Sequence, residues 1–296
     1  MKFISFFMVF QSFGGIMYEP FYIPDISMPL ISTEGVRYGI THSAPYRVPD
    51  DSAADPLHIH EAFELFFNVS GNVSFSIGDR ILPVPMGGAV LTRPNEVHKC
   101  IYNSPCLNEH YCLWINAPQD SVFHSLLIAL SSPTVFSFDV QAADMLHSHL
   151  RELSEMLPLE DASDASERML HILYILLLLR KKGIKMSAVP TIPSELQHIL
   201  SQIDEDPAEV GTVSDLAKAH FISPSTLNRW FRQYLKVSPR EYLESKKMAR
   251  AIKLLDNGAS VTTTCFQSGF SDCAHFIRLF KRKFGQTPLQ YKKTEK

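Results

Sequence analysis

The chain has 296 residues, 45% of them hydrophobic and 20% charged, with a formal net charge of -3. That length favours two domains over one, and the balance is that of a soluble globular protein, which excludes a disordered chain. The five cysteines are odd in number and form no CxxC pair, which excludes a zinc finger and a disulfide scaffold and predicts reduced thiols in a cytoplasmic protein.

The net charge conceals an asymmetry. Residues 213–293 hold 15 Lys and Arg against 5 Asp and Glu, so this block carries +10 and the remainder -13. Such a split predicts a polyanion-binding module joined to a domain of another kind.

At the N-terminus, MKFISFFMVFQSFGGIM makes a poor secretory signal: Ser5 and Gln11 break its apolar run, and it is too short to cross a bilayer. Translation is expected to begin at Met17. From about Val36 to Asn116, short apolar and β-branched runs alternate with turn signals at Ser70–Asn72, Gly78–Asp79 and Gly87–Gly88, which predicts antiparallel strands in a small sandwich or barrel. Cys100, Cys106 and Cys112 are predicted to be buried strand thiols. After Asp139 the period becomes helical, with Met145, Leu146, His149, Leu150, Leu153 and Leu157 on one face. A second helix, Ser166–Lys182, is apolar nearly all round between Ile172 and Leu179. It therefore needs cover on two sides, from the barrel and from a homodimer partner. The stretch KKGIKMSAVPTIPSE reads as a linker, and beyond it the chain is helical.

In TVSDLAKAHFISPSTLNRWFRQYL (212–235), a short helix from Val213 and a tight turn lead to Ser223 as N-cap and Pro224 at the first helical position. This predicts a helix-turn-helix, with Leu227, Trp230, Phe231 and Tyr234 packed and Ser225, Thr226, Asn228, Arg229, Arg232 and Gln233 facing outward. SVTTTCFQSGFSDCAHFIRLFKRKFG (260–285) repeats the pattern, with Ser271 read as the cap and Ala274, His275, Arg278, Lys281 and Arg282 presented. Between the two, Ser238 and Pro239 start a helix running to about Asp256. Its 18 or so residues span about 27 Å, enough to place two recognition helices in successive major grooves about 34 Å apart. Asn228, Arg229, Arg232, His275 and Arg278 are expected to read bases, and Thr226, Lys281, Arg282 and Lys283 to contact phosphates.

Residues 194–293, with GFSDCAHFIRLFKRKFGQTPLQY at their end, resemble the DNA-binding domain of the AraC/XylS family of bacterial transcription regulators. The resemblance implies two helix-turn-helix units joined by a helix, and favours activation by contact with RNA polymerase. The sequence departs from the family pattern at Thr264 and Ser268, where apolar residues are usual, and at Lys236, often glycine.

Upstream, HIHEAFE is followed by Gly71, Gly88, Pro94 and His98, a spacing that resembles the two cupin motifs. In cupin enzymes the residues matching His58, His60, Glu64 and His98 hold a metal. The resemblance of residues 36–116 to the cupin-like sensor domain of AraC-type regulators implies instead an effector pocket without cofactor, often for a sugar, with a divalent metal at the same four residues as the alternative. Arg37, Tyr46, His58, His60, Glu64, His98 and Trp114 are the candidate effector contacts.

The expected fold is thus a multidomain α+β chain. A cupin-like effector-binding barrel (17–138) is followed by a helical dimerisation segment (139–185), a linker (186–193) and an all-α DNA-binding domain (194–296) with helix-turn-helices at about 212–235 and 260–285. The expected function is a ligand-responsive, non-enzymatic transcription regulator. It would be a homodimer on double-stranded DNA without membrane association, activating genes for uptake or metabolism of a small polar metabolite such as a carbohydrate. The alternative is a cupin metalloenzyme, an isomerase or dioxygenase, carrying a DNA-binding domain.

Overall fold

The computed structural model describes residues 31–33, 35–47, 57–131, 135–156, 163–186 and 192–294. The expected start at Met17, the first part of the expected barrel domain, Leu157 and residues 187–191 of the expected linker lie outside these residues.

The β part has two antiparallel sheets. The larger is ordered β1 (Ile31–Thr33), β2 (Val36–Arg47), β8 (Leu107–Asn116), β3 (Phe63–Ser70), β6 (Ala89–Thr92), β9 (Val135–Ser137), β10 (Ile184–Met186). The smaller is ordered β5 (Arg80–Val84), β4 (Val73–Ile77), β7 (His98–Tyr102). Strand alternation sorts the side chains into two layers. Phe63, Leu65 and Phe67 of β3 join Leu113, Ile115 and Tyr38 in a core under the helices α1 (Val122–Leu130), α2 (Val140–Glu155) and α3 (Ser163–Lys182). Phe66 turns the other way, into a second core with Phe75, Ile77, Leu82, Val90 and Cys112 between the sheets. Gly71 turns the β3–β4 hairpin at φ +119°, and a Cβ there would come within 2.1 Å of Asn108 Oδ1. Only glycine serves at that position.

Three expectations need correction. Ile184–Met186, read as the end of the helical segment and the start of the linker, pairs with β9 as a strand. Cys106 is not a strand thiol: it sits half-buried in the β7–β8 turn, where its sulfur accepts the Asn72 N–H at 3.3 Å. The apolar helix α3 finds most of its cover inside the chain, since Ile172, Ile175, Leu176, Leu178 and Leu179 are all buried. Leu170 and Tyr174 remain exposed.

The helical part comprises α4 (Ser194–Glu205), α5 (Val213–Ala219), α6 (Pro224–Trp230), α7 (Pro239–Asp256), α8 (Val261–Gln267), α9 (Cys273–Phe284) and α10 (Pro288–Thr294). Local signals account for these boundaries. Thr212 and Ser238 form capping boxes with Asp215 and Glu241, and Pro224 and Pro239 occupy first-turn positions. Leu216, Leu227, Phe231, Tyr242, Ile252, Phe276 and Phe280 share one core.

That core extends across to the β part, taking in Leu57, Ile59, Ile81, Val97 and Ile101. Polar contacts reinforce the junction at the β4–β5 turn. Tyr242 OH donates to Gly78 O (2.6 Å), Gln197 Nε2 to Asp79 O (2.7 Å) and Ser201 Oγ to Asp79 Oδ2 (2.7 Å).

Candidate functional site

Two groups of side chains are arranged for chemistry. The first is on the recognition helices. Ser223 caps α6, accepting the Thr226 N–H at 3.0 Å, and leaves Asn228 and Arg229 exposed on its outer face while Leu227 is buried. The helix continues from Phe231 to Leu235 as a π-helical turn that carries Arg232, also exposed, and ends at Lys236 in the left-handed region (φ 55°). That conformation explains the frequent glycine at this position of the family pattern: a Cβ is disfavoured there.

The second unit repeats the arrangement on α9, where Arg278, Lys281 and Arg282 are exposed and Phe276, Leu279, Phe280 and Phe284 are buried. Its cap is Asp272, accepting the Ala274 N–H at 2.8 Å, and not Ser271 as the sequence suggested; the carboxylate is the stronger acceptor of the two adjacent candidates. Thr226, His275 and Lys283 are half-buried. The Thr226 hydroxyl is engaged with Ser223 Oγ (2.9 Å), and His275 lies 6.3 Å from the Phe270 ring. Asn228, Arg229, Arg232, Arg278, Lys281 and Arg282 therefore form the open cationic surface.

The second group lies inside the β part. Glu64 on β3 is buried, with one carboxylate oxygen, Oε2, at the centre. Around it are His60 Nε2 at 2.7 Å, His98 Nε2 at 3.4 Å and His58 Nε2 at 4.0 Å. Trp114 donates its indole N–H to the same oxygen at 2.8 Å. The far ring nitrogens are fixed too: His60 Nδ1 donates to Ala62 O (2.9 Å) and His98 Nδ1 to Glu96 O (2.7 Å). Because a carbonyl only accepts, these two bonds place a proton on Nδ1 of each ring.

Burial alone would raise the Glu64 carboxyl, but the hydrogen bonds of His58, His60 and His98 outweigh it and hold the group well below the usual carboxylate range. Burial, with His58 beside it, pushes the His98 imidazole down to about 4. The cluster is thus built around an ionised carboxylate.

One donor atom from each of His58, His60, Glu64 and His98 lies within 4.8 Å of all the others. For comparison, a metal held at about 2.1 Å from four tetrahedral ligands sets them about 3.4 Å apart. The residues therefore fit an ion, whereas a sugar ring would have to lie beside them and not among them. Of the other candidates, Arg37 is exposed on β2, two positions from Gly39, which pairs with Trp114. Tyr46 is at the opposite end of that strand, paired with Asn108, so its backbone lies away from the cluster.

Comparisons with known proteins match both parts of the chain. Residues 44–179 match the model of the AraC-like ligand binding domain, and residues 216–294 match a helix-turn-helix domain.

The chain belongs to the AraC family.

It carries a ligand-binding and a DNA-binding domain of that family. Among its relatives is the HTH-type transcriptional activator RhaS of Escherichia fergusonii, 26% identical over 53% of this chain and 57% of RhaS. That match thus spans little more than half the length of the curated relative. The uncharacterized HTH-type transcriptional regulator YbfI of Bacillus subtilis is 28% identical over 79% of this chain and 86% of its own length. A crystal structure of ToxT from Vibrio cholerae aligns with 88% of this AraC-family chain and 98% of its own, at 13% identity and a TM-score of 0.34. Both relatives are named as transcription regulators. Among the described residues no helix is long and apolar enough to cross a membrane.

Sequence reasoning missed the residues that join the two parts of this AraC-family chain. Asp79 signalled only a turn, and Gln197, Ser201 and Tyr242 only helix positions. No local pattern announces a contact made across more than a hundred residues. The carbonyls of Ala62 and Glu96, which orient two imidazoles, were equally silent, because backbone geometry has no letter in the sequence.

Proposed function

We propose that the chain is a cytoplasmic, ligand-responsive transcription regulator that binds duplex DNA as a homodimer and activates genes for handling a small polar ligand, through contact with RNA polymerase. The observation that carries this reading is the pair of capped recognition helices, α6 and α9, each with an open cationic face, held by the single 18-residue helix α7. That spacer is about 27 Å long, within reach of successive major grooves on one side of the duplex. Asn228, Arg229, Arg232 and Arg278 are the base readers, with His275 behind them. Lys281 and Arg282 serve phosphates, with Thr226 and Lys283 completing the contacts from less exposed positions.

Activation is supported by the similarity to RhaS, a transcriptional activator, and dimerisation by the exposed Leu170 and Tyr174 on α3. The ligand site is the β-part cluster of His58, His60, Glu64, His98 and Trp114, with Arg37 nearby. Binding there changes DNA affinity only if the ligand prefers one arrangement of the two parts over the other.

The test is footprinting on DNA upstream of neighbouring genes. Each protomer should protect two adjacent major grooves on one face, and an Arg229→Ala, Arg278→Ala pair should abolish the footprint. A chain that protects no site on such DNA, or protects it equally after both substitutions, refutes the assignment.

A further inference from the structure

We propose that His149, Glu152 and His171 form a surface site for one divalent first-row transition-metal ion, such as zinc(II), and that the ion clamps helix α2 to helix α3. None of the three belongs to the cluster of the β part.

Helical spacing prepares the site. His149 and Glu152 are three residues apart in α2, which puts them on one face. Leu146, Leu150 and Leu153 make the buried side of that helix, so the pair stands at its edge, with His149 half-buried and Glu152 exposed. The neighbouring helix α3 brings in His171, one residue before the buried Ile172. Two donors at this spacing on one helix, completed from a facing helix, are how metal sites between packed helices are built.

The distances suit an ion. His149 Nδ1 and His171 Nδ1 are 3.0 Å apart, and Glu152 Oε2 is 3.8 Å from His171 Nδ1. All three donor atoms lie within 4.8 Å of one another. The two separations bracket the edge of about 3.4 Å that ligands at about 2.1 Å from a tetrahedral ion would set. A hydrogen bond between the imidazoles accounts for the 3.0 Å contact alone, because a carboxylate at 3.8 Å is beyond hydrogen-bond range of the ring it approaches. One cation accounts for all three together.

Contacts around the three side chains hold them in place, as outer partners do for ligands. Ser148 Oγ donates to Glu152 Oε1 at 3.0 Å and leaves Oε2 to the site. The Tyr174 ring lies 4.4 Å from that of His149. Two imidazoles with one carboxylate suit zinc(II), cobalt(II) or nickel(II), and not calcium or magnesium, which take oxygen ligands. The Glu152 side chain, 46% exposed, gives the ion a way in from solvent.

The test uses the full chain, stripped with chelator and titrated with cobalt(II), whose visible absorption reports coordination, in parallel with His149→Ala. Whatever the β part takes up is common to both chains, so their difference counts this site alone, and one ion per chain is expected. Glu152→Gln should weaken that increment at least about 100-fold, and Ser148→Ala, which removes only the outer bond, about 10-fold. Circular dichroism of the metal-free variants checks folding, and Glu152, being exposed, can be replaced without disturbing the core. The clamp is read by hydrogen exchange. With zinc(II) at about 100 times its Kd, amides of α2 and α3 that exchange only when the helices part should slow about 100-fold, and His149→Ala should show no such slowing.

Equal cobalt uptake by the unsubstituted chain and His149→Ala overturns the site. So does an increment that Glu152→Gln leaves at full affinity. One additional ion per chain without slower exchange in both helices overturns the clamp and leaves the site standing.

Discussion

Arg229→Ala and Lys281→Ala should weaken DNA binding in two different ways. Arg229 is exposed next to Asn228 in α6, whose opposite face is buried through Leu227, so its guanidinium is open to a ligand and not turned into the protein. Removing a bidentate base contact should cost about 1 to 3 kcal/mol on the preferred site and relax the preference at one base pair. Lys281 lies in the last turn of α9 and is the residue assigned above to a phosphate. Lys281, Arg282 and Lys283 are the three cations assigned to phosphates; with one counterion displaced by each, log affinity would fall with log salt at a slope of about -2.7. Affinity would then drop about 40-fold between about 50 and about 200 mM salt. Loss of Lys281 should flatten that slope by about 0.9, equally on preferred and random DNA. The assay is anisotropy against both DNAs across a salt series. The assignment fails if both variants show the same slope and lose the same factor on both DNAs.

Other substitutions probe stability. Thr264 is fully buried in α8, and its Oγ1 has no hydrogen-bond partner, so Thr264→Val should raise stability by about 1 kcal/mol in urea denaturation; a loss would mean that the hydroxyl is satisfied after all. Lys236→Gly should raise it by a similar amount, about 1 kcal/mol, by relieving the left-handed backbone at the end of the π-helical turn, and a lowered melting temperature would contradict that. At the junction, Asp79→Ala and Ser201→Ala should each cost about 1 kcal/mol, modest because the carboxylate is partly exposed, and the double variant should cost little more than either. Losses that simply add would show that the 2.7 Å bond does not couple the two parts.

The helical part was legible because its signals are local. Ser223 with Pro224, Ser238 with Pro239, and the stop at Asn257–Gly258 each announce a boundary within three or four residues, and the structure places α6 and α7 there. Where two acceptors stood side by side, Ser271 and Asp272, the sequence did not decide, and the observed cap is the carboxylate. The β part was legible as alternation over Val36–Asn116 but not as topology. Nothing in GIKM shows that it will pair with Val135–Ser137, because a three-residue strand gains its stability from the neighbour it meets. The π-helical turn was hidden as well, since the extra residue leaves the apolar spacing of Leu227, Phe231 and Leu235 intact.

The four ligand-type residues of the β part were found by spacing, and their convergence on one oxygen follows from the fold. Period-two alternation puts His58 and His60 on one face, but only the pairing of His58 with His98 and of Glu64 with Trp114 closes the ring around that oxygen. Residue type alone proposed Arg37 and Tyr46, which β2 pairs with Asn116 and Asn108 near its two ends.

Helix α7 joins both DNA readers and, through Tyr242 near its first turn, touches the turn at Gly78. One rod therefore sets the separation and the angular phase of α6 and α9, and with them the spacing of the DNA contacts proposed above. A DNA site lengthened by one base pair between the two contacts would present its second groove rotated by about 34 degrees, a mismatch that α7 has no hinge to absorb. The same rigidity means that the β part cannot tilt one reader without tilting the other, so its grip on a single end of α7 acts on both halves of the DNA site together.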